Sequence, residues 1–287
     1  IASLGLAGAA GVLWVGLPSG IALVAIGLAA AVVERVRRRE ETLIELGGFS
    51  WNRQAFCQSW LITGATGSGK TRSGIHQILH QLFKRQSRFG LLCIDDKCVL
   101  FEALAGMAGH FGREKDMILL QVRPKGTPAS WQAAHRFNLT GDRSIPAATY
   151  ARCVVDAAIA LGNRHEQSFF RRAAQIQIEQ GLTALEALGY DVTLENLHHL
   201  LTNSDDLKNA IAELKRVPKT SELTQQLQDS LDQPAEQRAG VTGTVGNYLH
   251  AFTTPEVAEV FSRDSTFSLN DLDQGKIVCL ALPQRFQ

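Results

Sequence analysis

The stretch "SWLITGATGSGKTRSG" (Ser59 to Gly74) carries the one constellation in this chain whose spacing by itself specifies chemistry. Gly64, Gly69, Lys70 and Thr71 satisfy G-x-x-x-x-G-K-[ST], with Gly67 as a further glycine inside the loop. Glycines let the backbone turn so that successive N–H groups face phosphate oxygens, and the start of the following helix adds its partial positive charge. The loop Gly64, Ala65, Thr66, Gly67, Ser68, Gly69 would bind ATP. Lys70 would reach the β- and γ-phosphates, Thr71 would place its hydroxyl on Mg²⁺, and Arg72 closes the nucleotide-binding set. Lys70 and Thr71 are the expected catalytic pair.

Hydrolysis also requires an acid at the end of a neighbouring strand. "GLLCIDDK" (Gly90 to Lys97) offers Asp95 and Asp96 after an apolar run, whereas "GKIVCLAL" (Gly275 to Leu282) ends in Pro283 and "MILLQV" (Met117 to Val122) in Arg123. Asp95 is therefore either the magnesium acid or a loop carboxylate, in which case the acid lies beyond Gln287.

The elements that position these residues follow from periodicity. "WLIT" (Trp60 to Thr63) reads as a buried strand leading into the loop and "TRSGIHQILHQLF" (Thr71 to Phe83) as an amphipathic helix leading out. From Leu61 to Val122 the order strand, helix, strand, helix, strand predicts a parallel sheet with helices on both faces. After "FNLT" (Phe137 to Thr140) the period changes to helical for about a hundred residues, with Ser204 and Asp205 as caps after Asn203 and Gly189 closing the longest helix. "TGTVGNYLHAFTTPEVAEVF" (Thr242 to Phe261) is a helical pair broken at Thr253, Thr254 and Pro255, and "FSLNDLDQGKIVCLALP" then returns a strand to the sheet. Specificity is expected in the helical insertion.

Ile1 to Val33 contains no charged side chain, and crossing the hydrocarbon core takes about 20 apolar residues. Pro18 and Gly20 interrupt the run, which predicts two membrane helices, the first truncated, over one kinked helix. Arg35, Arg37, Arg38 and Arg39 follow at once and place the rest of the chain on the cytoplasmic side. A cleaved signal peptide would carry its basic residues before the apolar stretch, not after it. The chain starts at Ile1 rather than Met and stops soon after a strand, so part of a longer protein is expected.

With 287 residues the chain can bury a substantial core, and its net charge of +1 does not announce a nucleic-acid binder. The five cysteines (Cys57, Cys93, Cys98, Cys153, Cys279) lack paired CxxC spacing and read as free thiols. His76 and His80 stand at i, i+4, but Gln77 replaces the glutamate of a zinc-protease helix, and His198 with His199 has no companion ligand. Arg171 and Arg172, and Lys208, Lys215, Arg216 and Lys219, are basic points of the insertion that either meet phosphate backbones or stay solvated.

Taken in order, the apolar segment with its basic exit, "WLITGATGSGKT", "CIDDKCVLFEALAG" (Cys93 to Gly106), "FNLT", "GTVGNYLHAFTTPEVAEVFS" and "FSLNDLDQGKIVCLALP" resemble the TraG/TraD-type coupling proteins of type IV secretion and conjugation systems. Two departures stand out: Asp96 and Cys98 replace that family's Pro and Gly, and Leu139-Thr140 replace its Pro-Leu. The resemblance implies a RecA-like P-loop ATPase domain of α/β class (residues 59–137 and 241–287) with an inserted all-α domain (138–240), preceded by transmembrane helices (1–34) and a juxtamembrane region (35–58). It further implies a hexameric ring at the bacterial inner membrane, using ATP and Mg²⁺. That ring would act with type IV secretion channel components on single-stranded DNA with its relaxase, on protein effectors with adaptors, or on both. In such a ring a neighbour's arginine would supply transition-state charge, with Arg72 and Arg113 as sources, and Asp95 would be a loop residue near the nucleotide. A recruitment platform in which nucleotide only sets conformation, and a DNA pump of the FtsK/HerA kind, are the alternatives. The large insertion after the third strand speaks against the pump.

Overall fold

Apolar runs of strand length suit a parallel sheet, and "LLCID", "MILLQ" and "IVCLA" are of that kind, the last buried along nearly its whole length and the first with Leu92 and Ile94 exposed on one face. In a computed structural model that describes residues 27–29, 32, 42–95, 99–124, 126–128, 130–160 and 168–281, they form β3 (Leu91–Asp95), β4 (Met117–Gln121) and β5 (Ile277–Ala281). The three pair in parallel in the order β3-β5-β4, so the last strand of the chain lies between the two that precede it. The expected membrane segment, apart from 27–29 and 32, and the arginine cluster after it lie outside the described residues. Among the described residues no helix is long and apolar enough to cross a membrane.

The chain divides into two compact units. One comprises the residues up to Arg88 together with Gly106–Gly112, and the other comprises Phe89–Ala105 and everything from Arg113. The first holds a hairpin, β1 (Thr42–Leu46) and β2 (Phe49–Asn52), the short α1 (Arg53–Phe56), the phosphate-type loop, and α2 (His76–Arg85). The hairpin turns on Gly47 and Gly48, both with positive φ (59° and 82°), which a two-residue turn of this hand requires and only glycine adopts without strain. The Gln81 side chain accepts from the Glu45 N–H and donates to the Glu45 carbonyl, each at 2.8 Å, so α2 satisfies the outer edge of β1 as a paired strand would. Arg85 adds a bond to the Thr42 carbonyl and an ion pair with Glu45.

Trp60 to Thr63 is not a strand, contrary to the sequence reading. Ser59 adopts φ 72°, which breaks an extended run at its start, and Leu61 is 89% exposed. Side chains hold the segment instead. The Trp60 indole donates to the Phe56 carbonyl at 2.9 Å, and Ile62 fills the space beside Gly74.

In the second unit, α3 starts at Leu100, and residues 147–249 supply α4 (Ala147–Ala160), α5 (Ser168–Ala187), α6 (Leu194–Thr202), α7 (Ser204–Leu214), α8 (Ser221–Asp232) and α9 (Ala235–Leu249). They close around a core that includes Ile178, Leu182, Leu197, Leu214, Leu227 and Leu249, each 2% exposed or less. Gly189, at φ 72°, ends α5, whereas the cap of α7 is Asn203, whose side chain accepts from Asp205 N–H, rather than Ser204 or Asp205. α10 (Pro255–Phe261) packs Val257, Val260 and Phe261 against Ile118, Leu120 and Val278 of the sheet.

"FNLT" joins sheet and helices within this unit. The Phe137 N–H donates to the Val260 carbonyl, the Asn138 side-chain amide N–H and the Thr140 hydroxyl both donate to the Val192 carbonyl, and Asn138 Oδ1 accepts from the Thr140 N–H.

Arg113 holds the sheet at its other end. Its guanidinium donates to the carbonyls of Phe89 and Gly275 and to Asp116, and it lies 4.7 Å over the Phe89 ring. Those three residues precede β3, β5 and β4 in turn. Arg113 is 6% exposed, so it is a structural clasp and cannot serve a neighbour as a transition-state arginine. Burial pushes the Asp116 carboxyl up, but hydrogen bonds and charge from Arg113 and Lys276 outweigh it and hold the group below its usual value.

Arg113→Ala should destabilise the protein by about 3–5 kcal/mol in denaturant titration, because a buried network loses its donor. Arg113→Lys should recover little, since an ammonium cannot reproduce the planar fork. A folded value below the unfolded ~3.9 means that Asp116 contributes fully above pH ~4 and loses that contribution as pH falls through its lower native value. Asp116→Asn should accordingly flatten the acid limb of a stability-versus-pH curve.

Candidate phosphate-binding site

The loop from Gly64 to Gly69 is built from conformations that side chains resist. Gly67 and Gly69 have φ 80° and 83°, and a Cβ on Gly64 would lie 2.6 Å from Ser68 Oγ and 3.2 Å from Lys70 Cγ. The Ser68 N–H donates to the Ala65 carbonyl at 3.1 Å, which closes the loop on itself. The helix then begins with a π-helical turn, Lys70–Ile75, before continuing as α2. Such wide turns are rare and concentrate at functional positions. The first N–H groups of a helix have no intrahelical acceptor and give its start a partial positive charge.

Lys70 folds back over this loop. Its ammonium donates to the carbonyls of Gly64 at 2.6 Å and Ala65 at 2.8 Å, so the cation is held inside the ring of backbone it follows. Thr71 and Arg72 are exposed on the first turn, and Ala65, Thr66, Gly67 and Ser68 are exposed along the loop. The donor set fits a polyphosphate: a glycine loop whose Gly64 has a backbone conformation that disfavours a Cβ, a cation held against its carbonyls, and a hydroxyl one residue beyond. Lys70, Thr71 and the loop amides would hold ATP, with Thr71 toward Mg²⁺.

Asp95 belongs to the second unit. It is 6% exposed, and its Oδ2 accepts from the N–H groups of Leu100 at 2.7 Å and Phe101 at 3.1 Å, so it caps α3. Asp96 lies outside the described residues. The capping geometry was open to the sequence, because an Asp shortly before an apolar helical run is a helix-start signal.

The weaker constellations resolve into packing. His80 meets the Phe111 ring edge-on at 5.4 Å, and among the described residues no cluster could hold a metal. Burial, and then the charges of His199 and His250, push the His198 imidazole below its usual range, which favours its neutral form. Cys57 and Cys153 are exposed free thiols and Cys93 and Cys279 buried ones, while Cys98 lies outside the described residues. Lys208 pairs with Asp205 at 3.0 Å, and with Lys215 and Arg238 it lines a groove of about 390 Å³. A larger, polar cavity of about 500 Å³ lies between Asn138, Asp191 and Arg263. Its arginines are engaged, Arg263 with Glu195 and Arg143 with Glu186, each at 3.0 Å.

Comparison with known proteins places this geometry. The sequence model of the family described as type IV secretory system conjugative DNA transfer matches residues 113–282, more than half the chain. The match starts after the phosphate-type loop, so that loop rests on its own motif and geometry. Among solved structures, the bacterial conjugative coupling protein TrwBdeltaN70 in its unbound monoclinic form is similar with a TM-score of 0.54 at 15% identity, covering 85% of this chain and 50% of that one. The trigonal form of the same protein in complex with sulphate gives 0.54, 15%, 85% and 51%. These likenesses show an α/β fold with a parallel sheet, and the chain spans about half the length of the structures it matches. No curated protein sequence matches.

Gly64→Ala should weaken binding of a fluorescent ATP analogue about tenfold, ~1.4 kcal/mol, while the circular dichroism spectrum stays unchanged because the loop lies outside the core.

Proposed function

This chain belongs to the type IV secretory system conjugative DNA transfer family, and from that premise we propose that it is the ATP-driven coupling protein of such a system, acting at the bacterial inner membrane. The observation that carries the reading is the Lys70 ammonium held by the carbonyls of Gly64 and Ala65 within a glycine loop at a helix start. In that position the cation is already where the charge of a phosphate would be neutralised, so nucleotide binding exchanges two carbonyl acceptors for phosphate oxygens with little travel.

When bound, ATP with Mg²⁺ supplies the free energy that a transport step consumes. Lys70 would bind and orient the terminal phosphates, Thr71 would present its hydroxyl to the metal, and the loop amides would hold the polyphosphate. Asp95 holds α3 by its N-terminal amides. On this reading the nucleotide domain draws on residues 59–137 and 241–287, and the insertion of residues 138–240 meets cargo. The working form is a ring of copies of this chain, seated by its transmembrane segment against the secretion channel. Single-stranded DNA with its relaxase is the first cargo to expect from the family match, and protein effectors with adaptors are the second.

The full-length protein should hydrolyse ATP, and Lys70→Ala should abolish turnover without unfolding it. Single-stranded DNA should raise turnover several-fold if DNA is the cargo. Turnover indifferent to DNA would point to protein cargo, and no turnover by the unmutated protein would leave the recruitment-platform reading in place of the motor.

A further inference from the structure

Four aromatic rings gather on the hairpin and the residues just after it. Phe49 lies 6.2 Å from Trp51, Trp51 4.7 Å from Trp60, and Trp60 5.4 Å from Phe56. Phe49 is 70% exposed, and the other three rings are half-buried. On β2, Phe49 and Trp51 share one face, beside their ladder partners Leu46 and Ile44, of which Ile44 is fully buried. The rings form a contiguous series whose exposed end is Phe49, next to the turn.

The tether selects the partner. Only nine residue steps separate Val33, the last of the uncharged run, from Thr42, a reach of at most about 30 Å, and Arg39 is within about 11 Å of Thr42. A hairpin so tied to a membrane span stays within about 30 Å of it, close enough to reach the headgroup region, where Trp and Phe rings sit most favourably, one side apolar and the other wet. We infer that the Phe49–Trp51–Trp60–Phe56 surface is a lipid-interface anchor, seated among the headgroups of the bilayer that the N-terminal segment enters. The inference rests on the membrane location proposed above. It adds a second attachment, which would fix the orientation of the hairpin and of α2, to which Gln81 and Arg85 bind it.

Tryptophan emission in vesicles with brominated acyl chains separates the two claims. One variant keeps Trp14 alone (Trp51→Phe, Trp60→Phe, Trp131→Phe), and the other keeps Trp51 alone (Trp14→Phe, Trp60→Phe, Trp131→Phe). Expected is loss of emission from both when the full chain is reconstituted, with a blue shift of Trp51 that Phe49→Glu reverses; Phe49 is too exposed for that change to unfold the hairpin. Quenching of Trp14 without quenching of Trp51 overturns the anchor and leaves the membrane location standing. If Trp51 is then also shielded from aqueous acrylamide, the aromatic surface is covered by protein, a second copy included. Quenching of neither residue overturns both claims, whereas quenching of Trp51 alone supports the anchor without the span.

Discussion

The guanidinium of Arg113 gathers the leading ends of three parallel strands, and the sheet of the second unit depends on it. Parallel strands cannot be joined by tight turns, so β3, β4 and β5 each arrive from a separate connection. The Phe89 and Gly275 carbonyls and the Asp116 carboxylate converge on one planar fork of donors. A buried guanidinium is costly unless its hydrogen bonds are met, and here the partners are the backbone that must be aligned. Lys276 reinforces the same edge through the Lys115 carbonyl and Asp116.

From that edge outward the unit is held by apolar packing on one side and by polar clasps at its seams. The six helices from Ala147 to Leu249 share one core, whereas α10 belongs to the sheet through Val257, Val260 and Phe261. Asn138 and Thr140 stitch the two regions together through a single carbonyl, that of Val192. The threonine of "FNLT" therefore has a physical use where the family has leucine, since a leucine at position 140 could not present the hydroxyl that bonds Val192.

The first unit follows a different logic. Its glycine loop is exposed and closes through its own backbone, with Lys70 as internal cross-link, so the cation that would bind phosphate also organises the loop in its absence. The hairpin beside it is stabilised by α2, since Gln81 satisfies both backbone groups of Glu45. Lys70 and Arg85 thus stand at the two ends of one helical stretch, which begins with the π-helical turn and ends beside the hairpin.

Local signals in the sequence were sufficient for much of this. The spacing of Gly64, Gly69, Lys70 and Thr71 specifies a phosphate loop because its chemistry depends on neighbours in the chain, and the apolar runs of β3, β4 and β5 and the helical period after "FNLT" are likewise local. The Gly47-Gly48 hairpin was legible by the same rule, as two glycines between apolar runs, although the juxtamembrane reading passed over it. The sequence did not disclose that Trp60 to Thr63 would be irregular, because a strand exists only where a partner pairs with it. It also left open whether Asp95 and Arg113 were catalytic or structural. Asp95 became a helix cap and Arg113 a clasp only once the chain had folded, Arg113 and Gly275 being 162 residues apart. Periodicity and turn chemistry are written along the chain, but the role of a charged side chain is set by the carbonyls and amides that distant segments bring to it.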